Sequence, residues 1–341
     1  MCRNSFFGGK MQVTKINNRR YLGNKYRLLP FINDVIAKEC GNFDTFADIF
    51  AGTGAVSSSY TDKILYTNDI LYSNYLCHLT WFSDEAFDIS KIEKYIEYFN
   101  SDLPYEDNYM TENFSDTYFS RKNCSKIGFI RENIENEFKT GKINTRERAM
   151  LITSLLYGID KIANTCGHYD AYRKGVDFPE SFTMCVPEPN TNLKHNHCYN
   201  EDTNELVKNI SADVVYIDPP YNSRQYCDAY HLIENIARWE KPEVYGVAKK
   251  MDRTALKSKY CTRSAPAAFE DLINNLNAKY IVVSYNNMAN KGNDRSNARI
   301  SDTQILDTLK TKGKVKTYSE LFKAFTTGKS EHFDNEERLC A

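Results

Sequence analysis

Short apolar runs that end at polar or glycine-bearing segments recur along the chain and predict the strands of a sheet. They occupy residues 44–50, 63–68, 213–217 and 279–285. The first run enters a tight turn at Gly52 and Gly54, after which we expect a helix. Because helical patterns lie between several of these runs, the chain is predicted to have an α/β fold with a mainly parallel sheet. Ligands bind at the carboxyl ends of the strands in such a sheet.

The sequence between residues 71 and 210 departs from this pattern. It is rich in Tyr, Asn, Phe and charged residues, and its clear helical pattern covers residues 145–164. We therefore expect an inserted, mainly helical lobe at 71–210, within a catalytic domain formed by residues 15–70 and 211–330. The charged residues 331–341 show no periodicity and are expected to form a frayed tail.

The composition indicates a globular protein that does not enter a membrane. Hydrophobic residues make up 41% and charged residues 26% of the 341 residues, which are ordinary values. No apolar run approaches the roughly 18 residues that span a bilayer, and the N-terminal segment lacks a secretory signal pattern. We therefore expect a cytoplasmic protein with no membrane partner.

Cysteine and histidine spacing gives little indication of a metal. The ten cysteines are far apart and include no Cys-x-x-Cys pair, which argues against a zinc ribbon or a disulfide framework. His195, His197 and Cys198 lie close together, but a polar loop explains them without a metal, and we expect no metal site.

Nucleic-acid binding has to depend on local basic clusters, because the net charge is −1. The clusters are Lys15, Arg19, Arg20, Lys25 and Arg27; Lys249, Lys250, Arg253, Lys257, Lys259 and Arg263; and Lys310, Lys312, Lys314 and Lys316. Any one of them alone fits a solvated surface better than a binding site, so their meaning depends on their distance from a catalytic site.

The strongest chemical signal is Asp218-Pro219-Pro220-Tyr221, directly after an apolar strand. An adenine amine is a weak nucleophile because its lone pair is delocalised into the ring, so an enzyme must orient it toward an electrophilic methyl group. Asp218 and the carbonyl of Pro219 can accept its two hydrogens, while Tyr221 can stack on an extruded base. A proline-marked strand end with an aromatic plug is the alternative.

The second signal is the segment Asp48-Ile49-Phe50-Ala51-Gly52-Thr53-Gly54, whose glycines let the backbone approach a ligand while Phe50 covers an apolar part of it. Alone, this pattern equally fits a strand-to-helix turn or half of a dinucleotide site, although Ser57 replaces the third glycine of the latter. Asp69 ends the next strand, where an acidic residue can accept hydrogen bonds from ribose hydroxyls or cap a turn.

The motifs follow one another in an informative order. Tyr21-Leu22-Gly23-Asn24-Lys25 comes first, followed by DIFAGTGAV, TNDI and DPPYNSRQY. In this order the sequence resembles the DNA adenine methylase family, over residues 15–70 and 210–290. The resemblance implies a Rossmann-like, S-adenosylmethionine-dependent methyltransferase that acts on double-stranded DNA, and whose partner can be a cognate restriction endonuclease.

The resemblance also implies roles for matching positions. The expected cofactor-binding residues are Tyr21, Lys25, Asp48, Phe50, Gly52, Gly54, Asp69 and Asp218, and the expected catalytic residues are Asp218, Pro219, Pro220 and Tyr221. Lys25 is expected near the methionine carboxylate, with a surface charge as the alternative. Residues expected near the base or the DNA backbone are Asn222, Arg224, Gln225 and Tyr226, before a helix at 229–239. Core packing is the alternative for Tyr226 and Tyr230.

In this family the segment between the ribose aspartate and the catalytic tetrapeptide carries target recognition, so the lobe at 71–210 is expected to contact base edges. The basic loop at 249–263 is expected to hold phosphates. The rival interpretations are an RNA or protein-glutamine methyltransferase, a cytosine-amine DNA methylase and a non-catalytic DNA-binding subunit. Rival enzymes usually carry Asn or Ser where Asp218 stands, and the intact tetrapeptide argues against a non-catalytic subunit.

Overall fold

The computed structural model describes residues 12–19, 21–165, 167–191, 194–286, 298–321 and 336–341. Within these ranges the strands are β1 (Val13–Thr14), β2 (Thr45–Asp48), β3 (Ile64–Asn68), β4 (Val186–Pro187), β5 (His197–Tyr199), β6 (Ser211–Ile217), β7 (Asn277–Asn286), β8 (Thr317–Leu321) and β9 (Glu336–Cys340). The α-helices are α1 (Leu29–Cys40), α2 (Tyr72–Phe82), α3 (Ile89–Asn100), α4 (Tyr109–Phe114), α5 (Arg121–Lys139), α6 (Thr145–Ile159), α7 (Thr203–Leu206), α8 (Tyr226–Ala229), α9 (His231–Arg238), α10 (Ala265–Asn275) and α11 (Asp302–Lys310).

A seven-stranded sheet forms the centre of the protein, in the order β5-β3-β2-β6-β7-β9-β8. The strands from β5 to β7 are parallel, and β9 is antiparallel to both of its neighbours. The predicted α/β fold with a mainly parallel sheet is therefore confirmed. Because Asp48 pairs with Thr67 on one side and Tyr216 on the other, the carboxyl ends of β2, β3 and β6 lie side by side. The chain order reverses at β2, which is where open α/β sheets bind ligands.

Strand β6 shows why the central strands are continuous apolar runs. Val215 and Ile217 pack with α10 and α11 on one face, whereas Val214 and Tyr216 pack with α1 and α2 on the other. Successive side chains point to opposite faces, so a strand that is covered on both faces needs apolar residues at consecutive positions.

The lobe has a core of its own, in which α3 to α6 pack together with α2 and α9. The predicted helix at 145–164 is present as α6, Thr145–Ile159. The boundary at 71–210 needs correction, because α2 also packs on the sheet through Trp81 and Phe82, and β5 pairs with β3 at the sheet edge. Conversely, α9 follows β6 in sequence but lies in the core of the lobe.

Two local predictions are wrong. Residues 336–340 are not a frayed tail, because they form β9 between β7 and β8, with Leu339 fully buried. Three charged residues precede Leu339 and Cys340 in this segment, so it lacks the continuous apolar run that identifies the other central strands. No α-helix directly follows the glycine turn, where the described chain forms a 3-10 helix at Ser57–Ser59 before it enters β3.

We predict that Gly54→Ala destabilises the protein more than Gly41→Ala. Both glycines have positive φ, +89° and +60°, so each alanine is strained by about 1–2 kcal/mol. A Cβ at Gly54 would also lie 2.7 Å from Cε2 of Phe82, whereas one at Gly41 meets nothing within 4 Å. Overpacking adds about 1–3 kcal/mol. Urea unfolding of both variants measures the difference, and equal losses would contradict this account of Gly54.

Candidate active site

A cleft opens at the carboxyl ends of β2, β3 and β6, where the predicted site residues converge. Its walls include Tyr21, Lys25, Asp48, Phe50, Gly52, Asp69, Asp218, Pro219, Pro220 and Tyr221. Its empty volume is about 1290 Å³ when the open mouth is included. The early glycine turn and the late proline tetrapeptide therefore line one cavity.

Gly52 lies in the tight part of the turn, and both its N–H and its carbonyl form hydrogen bonds with side chains. Its N–H donates to Oδ2 of Asp69 at 3.0 Å, and its carbonyl lies 2.8 Å from Nε2 of His78. Burial lowers the pKa of His78 to about 4, so this histidine is neutral and donates through Nε2. A Cβ on Gly52 would lie 3.1 Å from the ring of Tyr21, so glycine lets that ring approach the turn closely.

Gly54 has a different surrounding from the one predicted. It lies outside the walls of the cleft, and the nearest atoms to its Cβ position belong to Phe82 and Ile16. Its small size therefore serves the packing of α2 against the turn. A Gly-x-Gly pattern does not distinguish the glycine that faces a ligand from the glycine that faces the core.

Asp48 and Asp69 are acidic groups in a poorly solvated part of the cleft. Oδ2 of Asp48 accepts from Ser57 Oγ at 2.8 Å, while its buried Oδ1 has no hydrogen-bond partner among the described residues. Burial, followed by the nearby charge of Asp218, raises the pKa of Asp48 to about 7. Burial also raises the pKa of Asp69 to about 7, although backbone N–H groups of Leu71 and Gly52 bind its carboxylate. Such a site is suited to a cationic ligand.

Lys25 is buried and contacts protein carboxylates on both sides. Its Nζ lies 3.2 Å from Oδ1 of Asp218 and 2.6 Å from Oε1 of Glu337, which belongs to β9. Burial lowers the pKa of Lys25, but the charges of Asp218 and Glu337 outweigh it and raise the pKa well above the usual value. The alternative of a surface charge is therefore wrong. The sequence analysis missed Glu337 because it lies in the segment that was predicted to be a tail.

The tetrapeptide after β6 presents Asp218 and Tyr221 to the cleft. The Asp218 side chain is 18% exposed, so one edge of the carboxylate remains accessible beside the ion pair with Lys25. Tyr221 packs edge-on against Tyr285, with ring centroids 6.1 Å apart, and its carbonyl accepts from the N–H of Arg299 at 2.7 Å. These contacts fix the plane of the Tyr221 ring at the cleft wall.

Tyr21 is fixed in place by ring stacking and by a hydrogen bond to its hydroxyl. Its ring stacks on Tyr230 with centroids 4.7 Å apart, and its hydroxyl accepts from Asn74 Nδ2 at 2.9 Å. Tyr230 is fully buried and its hydroxyl accepts from the N–H of Leu22 at 2.7 Å, so it packs in the core rather than facing DNA. Tyr226 differs from it, because Tyr226 lines the cleft.

Other cleft residues were not anticipated. Asp202, Thr203 and Asn204 line it at the start of α7, and Tyr260 packs edge-on against Phe50 at 5.1 Å. Strand β5, which precedes α7, has three residues and too little apolar character to be recognised. Recognition of β5 as a strand would have identified Asp202, because Asp202 lies just beyond the carboxyl end of β5.

The basic clusters differ in what they can contact. Arg19 is buried and pairs with Asp160 at 2.9 Å, and Arg20 lies outside the described residues. The third cluster is remote from the cleft, because Lys312 donates to the carbonyl of Asn274 just before β7 begins. In the second cluster Lys250 and Arg253 form ion pairs, and the exposed Lys257 and Lys259 line the cleft.

The described residues contain neither a metal-binding cluster nor a membrane-spanning helix. Within the described ranges, no group of His, Cys, Asp and Glu side chains is arranged to hold a metal ion. His197 instead stacks on Tyr66, with ring centroids 4.9 Å apart. Among the helices of the same ranges, none has the length and apolar character needed to cross a membrane.

The sheet order and the cleft together define a Rossmann-like methyltransferase fold. The chain belongs to the D12 class N6 adenine-specific DNA methyltransferase family, whose family model matches residues 21–296. This match confirms the resemblance that the ordered motifs indicated.

Individual relatives are modification methylases from bacteria. The chain is 36% identical to modification methylase LlaI of Lactococcus lactis subsp. lactis, over 79% of this chain and 46% of that protein. It is 31% identical to type II methyltransferase M.FokI of Planomicrobium okeanokoites, over 92% of this chain and 50% of the relative. It is also 31% identical to type II methyltransferase M.NlaIII of Neisseria lactamica, over 78% of this chain and 83% of the relative. The chain thus spans about half the length of the first two.

We predict that Asp48→Asn stabilises the protein at pH 8 by on the order of 2 kcal/mol. The folded-state pKa of Asp48 is raised to about 7, so folding is favoured below the unfolded value near 4 and this contribution is lost as pH rises through 7. The amide removes the buried charge. Asp34→Asn, at an exposed site, is the control. Urea unfolding at pH 5 and pH 8 measures the effect, and an equal change at both pH values would contradict it.

Proposed function

We propose that this chain is a site-specific DNA methyltransferase that transfers a methyl group from S-adenosylmethionine to the N6 amine of adenine in double-stranded DNA. The observation that carries the proposal is that the glycine turn and the Asp218-Pro219-Pro220-Tyr221 tetrapeptide line the same cleft. Membership of the D12 family supports the substrate class.

The residues of the cleft fit the proposed cofactor. When bound, S-adenosylmethionine supplies an electrophilic methyl group on a positively charged sulfonium. The unpartnered Oδ1 of Asp48 is suited to the cationic part of this molecule, and Asp69 can accept from the ribose hydroxyls. Phe50 and Tyr260 form an aromatic corner that suits the adenine ring of the cofactor.

The catalytic task of the protein is to orient and polarise the target amine. The accessible edge of Asp218 accepts one amine hydrogen and the carbonyl of Pro219 accepts the other, which favours a pyramidal nitrogen with an available lone pair. The ring of Tyr221 stacks on the base and keeps the amine directed into the cleft. In this mechanism Asp218 acts as a hydrogen-bond acceptor and must be ionised.

The target base has to leave the double helix to reach this cleft. Lys257 and Lys259 at the cleft wall can hold phosphates next to the flipped nucleotide, and the helical lobe is our candidate for contacts with base edges. Gln225 supports this arrangement, because its side chain makes hydrogen bonds of 3.0 and 2.8 Å to the backbone of Ser258 and so joins the catalytic loop to the basic loop.

The biological role that fits best is modification within a restriction-modification system, with an orphan methylase as the variant that lacks a partner. The relatives are named modification methylases, and methylation at a recognition sequence protects DNA from the cognate endonuclease. An RNA methyltransferase and a non-catalytic specificity subunit are the competing functions.

We predict that the purified protein transfers label from S-adenosylmethionine to adenine in double-stranded DNA, and that Asp218→Ala lowers kcat by roughly 100-fold or more. Cofactor affinity should change much less, because Asp218 orients the amine. Asp34→Ala, at an exposed position of α1 outside the cleft, is the matched control. Label recovered in RNA or cytosine and not in adenine would overturn the substrate, and no label in any nucleic acid would favour the non-catalytic subunit.

We predict that Lys257→Ala together with Lys259→Ala weakens DNA binding uniformly across sequences. The slope of log affinity against log salt should fall by roughly 2, about one for each phosphate contact. Lys310→Ala with Lys314→Ala removes the same charge from the cluster away from the cleft and should leave the slope unchanged. Fluorescence anisotropy over a salt series measures both, and equal slopes for the two double variants would exclude the basic loop as a phosphate site.

A further inference from the structure

Glu337 lies on β9, the last strand in the chain, and is linked to the carboxylate of Asp218 through Lys25. It lies opposite Asn286 of β7, and its side chain is buried. Its Oε1 accepts from Lys25 Nζ at 2.6 Å and from the hydroxyl of Ser284. Glu337 lies beyond residue 296, where the family match ends, so the family motifs assign it no role.

Lys25, Asp218 and Glu337 form a group whose net charge is not the one that stability alone would favour. Lys25 already has Asp218 as a partner, so Glu337 adds a second carboxylate to a buried cation, and the group carries a formal charge of −1 when both carboxylates are ionised. Burying ions is costly, and neutral residues of similar shape often stabilise a core better. The excess negative charge therefore suggests a functional reason.

We propose that Glu337 is a positioning residue that draws Lys25 away from Asp218, so that Asp218 keeps its strength as acceptor for the target amine. The inference rests on the proposed function. As the amine nitrogen bonds to the methyl carbon, the sulfur–carbon bond breaks, and the nitrogen is positively charged until it releases one proton to solvent. A net negative group beside Asp218 stabilises that charge.

The distances agree with this division of Lys25 between its partners. Nζ is closer to Glu337, at 2.6 Å, than to Asp218, at 3.2 Å, and the hydroxyl of Ser284 donates to the same oxygen of Glu337, Oε1, and so fixes its position. Burial raises the pKa of Asp218, Lys25 lowers it, and Glu337 raises it. Without the charge of Glu337, Lys25 is left to Asp218, whose pKa then falls while its acceptor strength is neutralised.

Glu337→Gln tests the proposal with a nearly isosteric change. In cofactor-free protein labelled with 13C at the aspartate carboxyls, the titration midpoint of Asp218, assigned with Asp218→Asn, should move to lower pH. In the methylation assay the plateau kcat should fall roughly tenfold, about 1.4 kcal/mol, with KM for DNA unchanged. The acid limb of the kcat profile should move in the same direction as the midpoint.

Two further variants separate a positioning role from a structural one. Glu320→Gln removes an exposed carboxylate directly opposite Glu337 on β8 and should change neither the midpoint nor kcat. Glu337→Asp keeps the charge and should restore most of the wild-type midpoint. If Glu337→Gln does not fold, Glu337→Met, which also removes the charge at a similar side-chain volume, replaces it and should move the midpoint and kcat in the same directions. A wild-type enzyme that methylates adenine, with unchanged midpoint and kcat in Glu337→Gln, would overturn this inference alone. A wild-type protein that methylates nothing would instead overturn the proposed function.

Discussion

The ion pair between Lys25 and Asp218 is the interaction on which the arrangement of the site depends. It joins the segment before α1 to the end of β6, and through Glu337 it reaches β9. These segments are far apart in sequence, so the sheet must be complete before the lysine has both of its partners. A buried cation with a missing partner is strongly unfavourable, and the pair therefore couples the geometry of the cleft to the closure of the fold.

Acidic side chains dominate the inner part of the cleft for a related reason. Asp48, Asp69 and Asp218 each follow or end a parallel strand, and parallel strands bring their carboxyl ends to one edge of the sheet. Burial raises the pKa of all three. The fold thus maintains a poorly solvated set of acids that an incoming positive charge would stabilise, which links cofactor binding to protein stability.

Much of this architecture could be predicted from the sequence, because strands such as β6 are buried on both faces and so appear as continuous apolar runs. The tetrapeptide and the glycine turn were informative because each follows such a run. Strands β5 and β9 were missed, since β5 is very short and β9 begins with three charged residues and has only two apolar ones, Leu339 and Cys340. Glu337 and Asp202 were missed with them. The different surroundings of Gly52 and Gly54 could not be predicted from the sequence for another reason. They depend on side chains from α2 and the N-terminal segment, which are distant in the chain.

The position of α9 has a consequence for how such proteins diversify. Residues 231–238 come soon after the Asp218–Tyr221 tetrapeptide in the chain, yet they complete the core of the helical lobe, and Tyr230 beside them stacks on Tyr21. The lobe is therefore built from more than one continuous stretch of the chain, because α9 belongs to its core as well. A chimera that exchanges residues 89–187 alone would combine helices from one parent with the packing surface of another, so lobe and catalytic loop are expected to be inherited together.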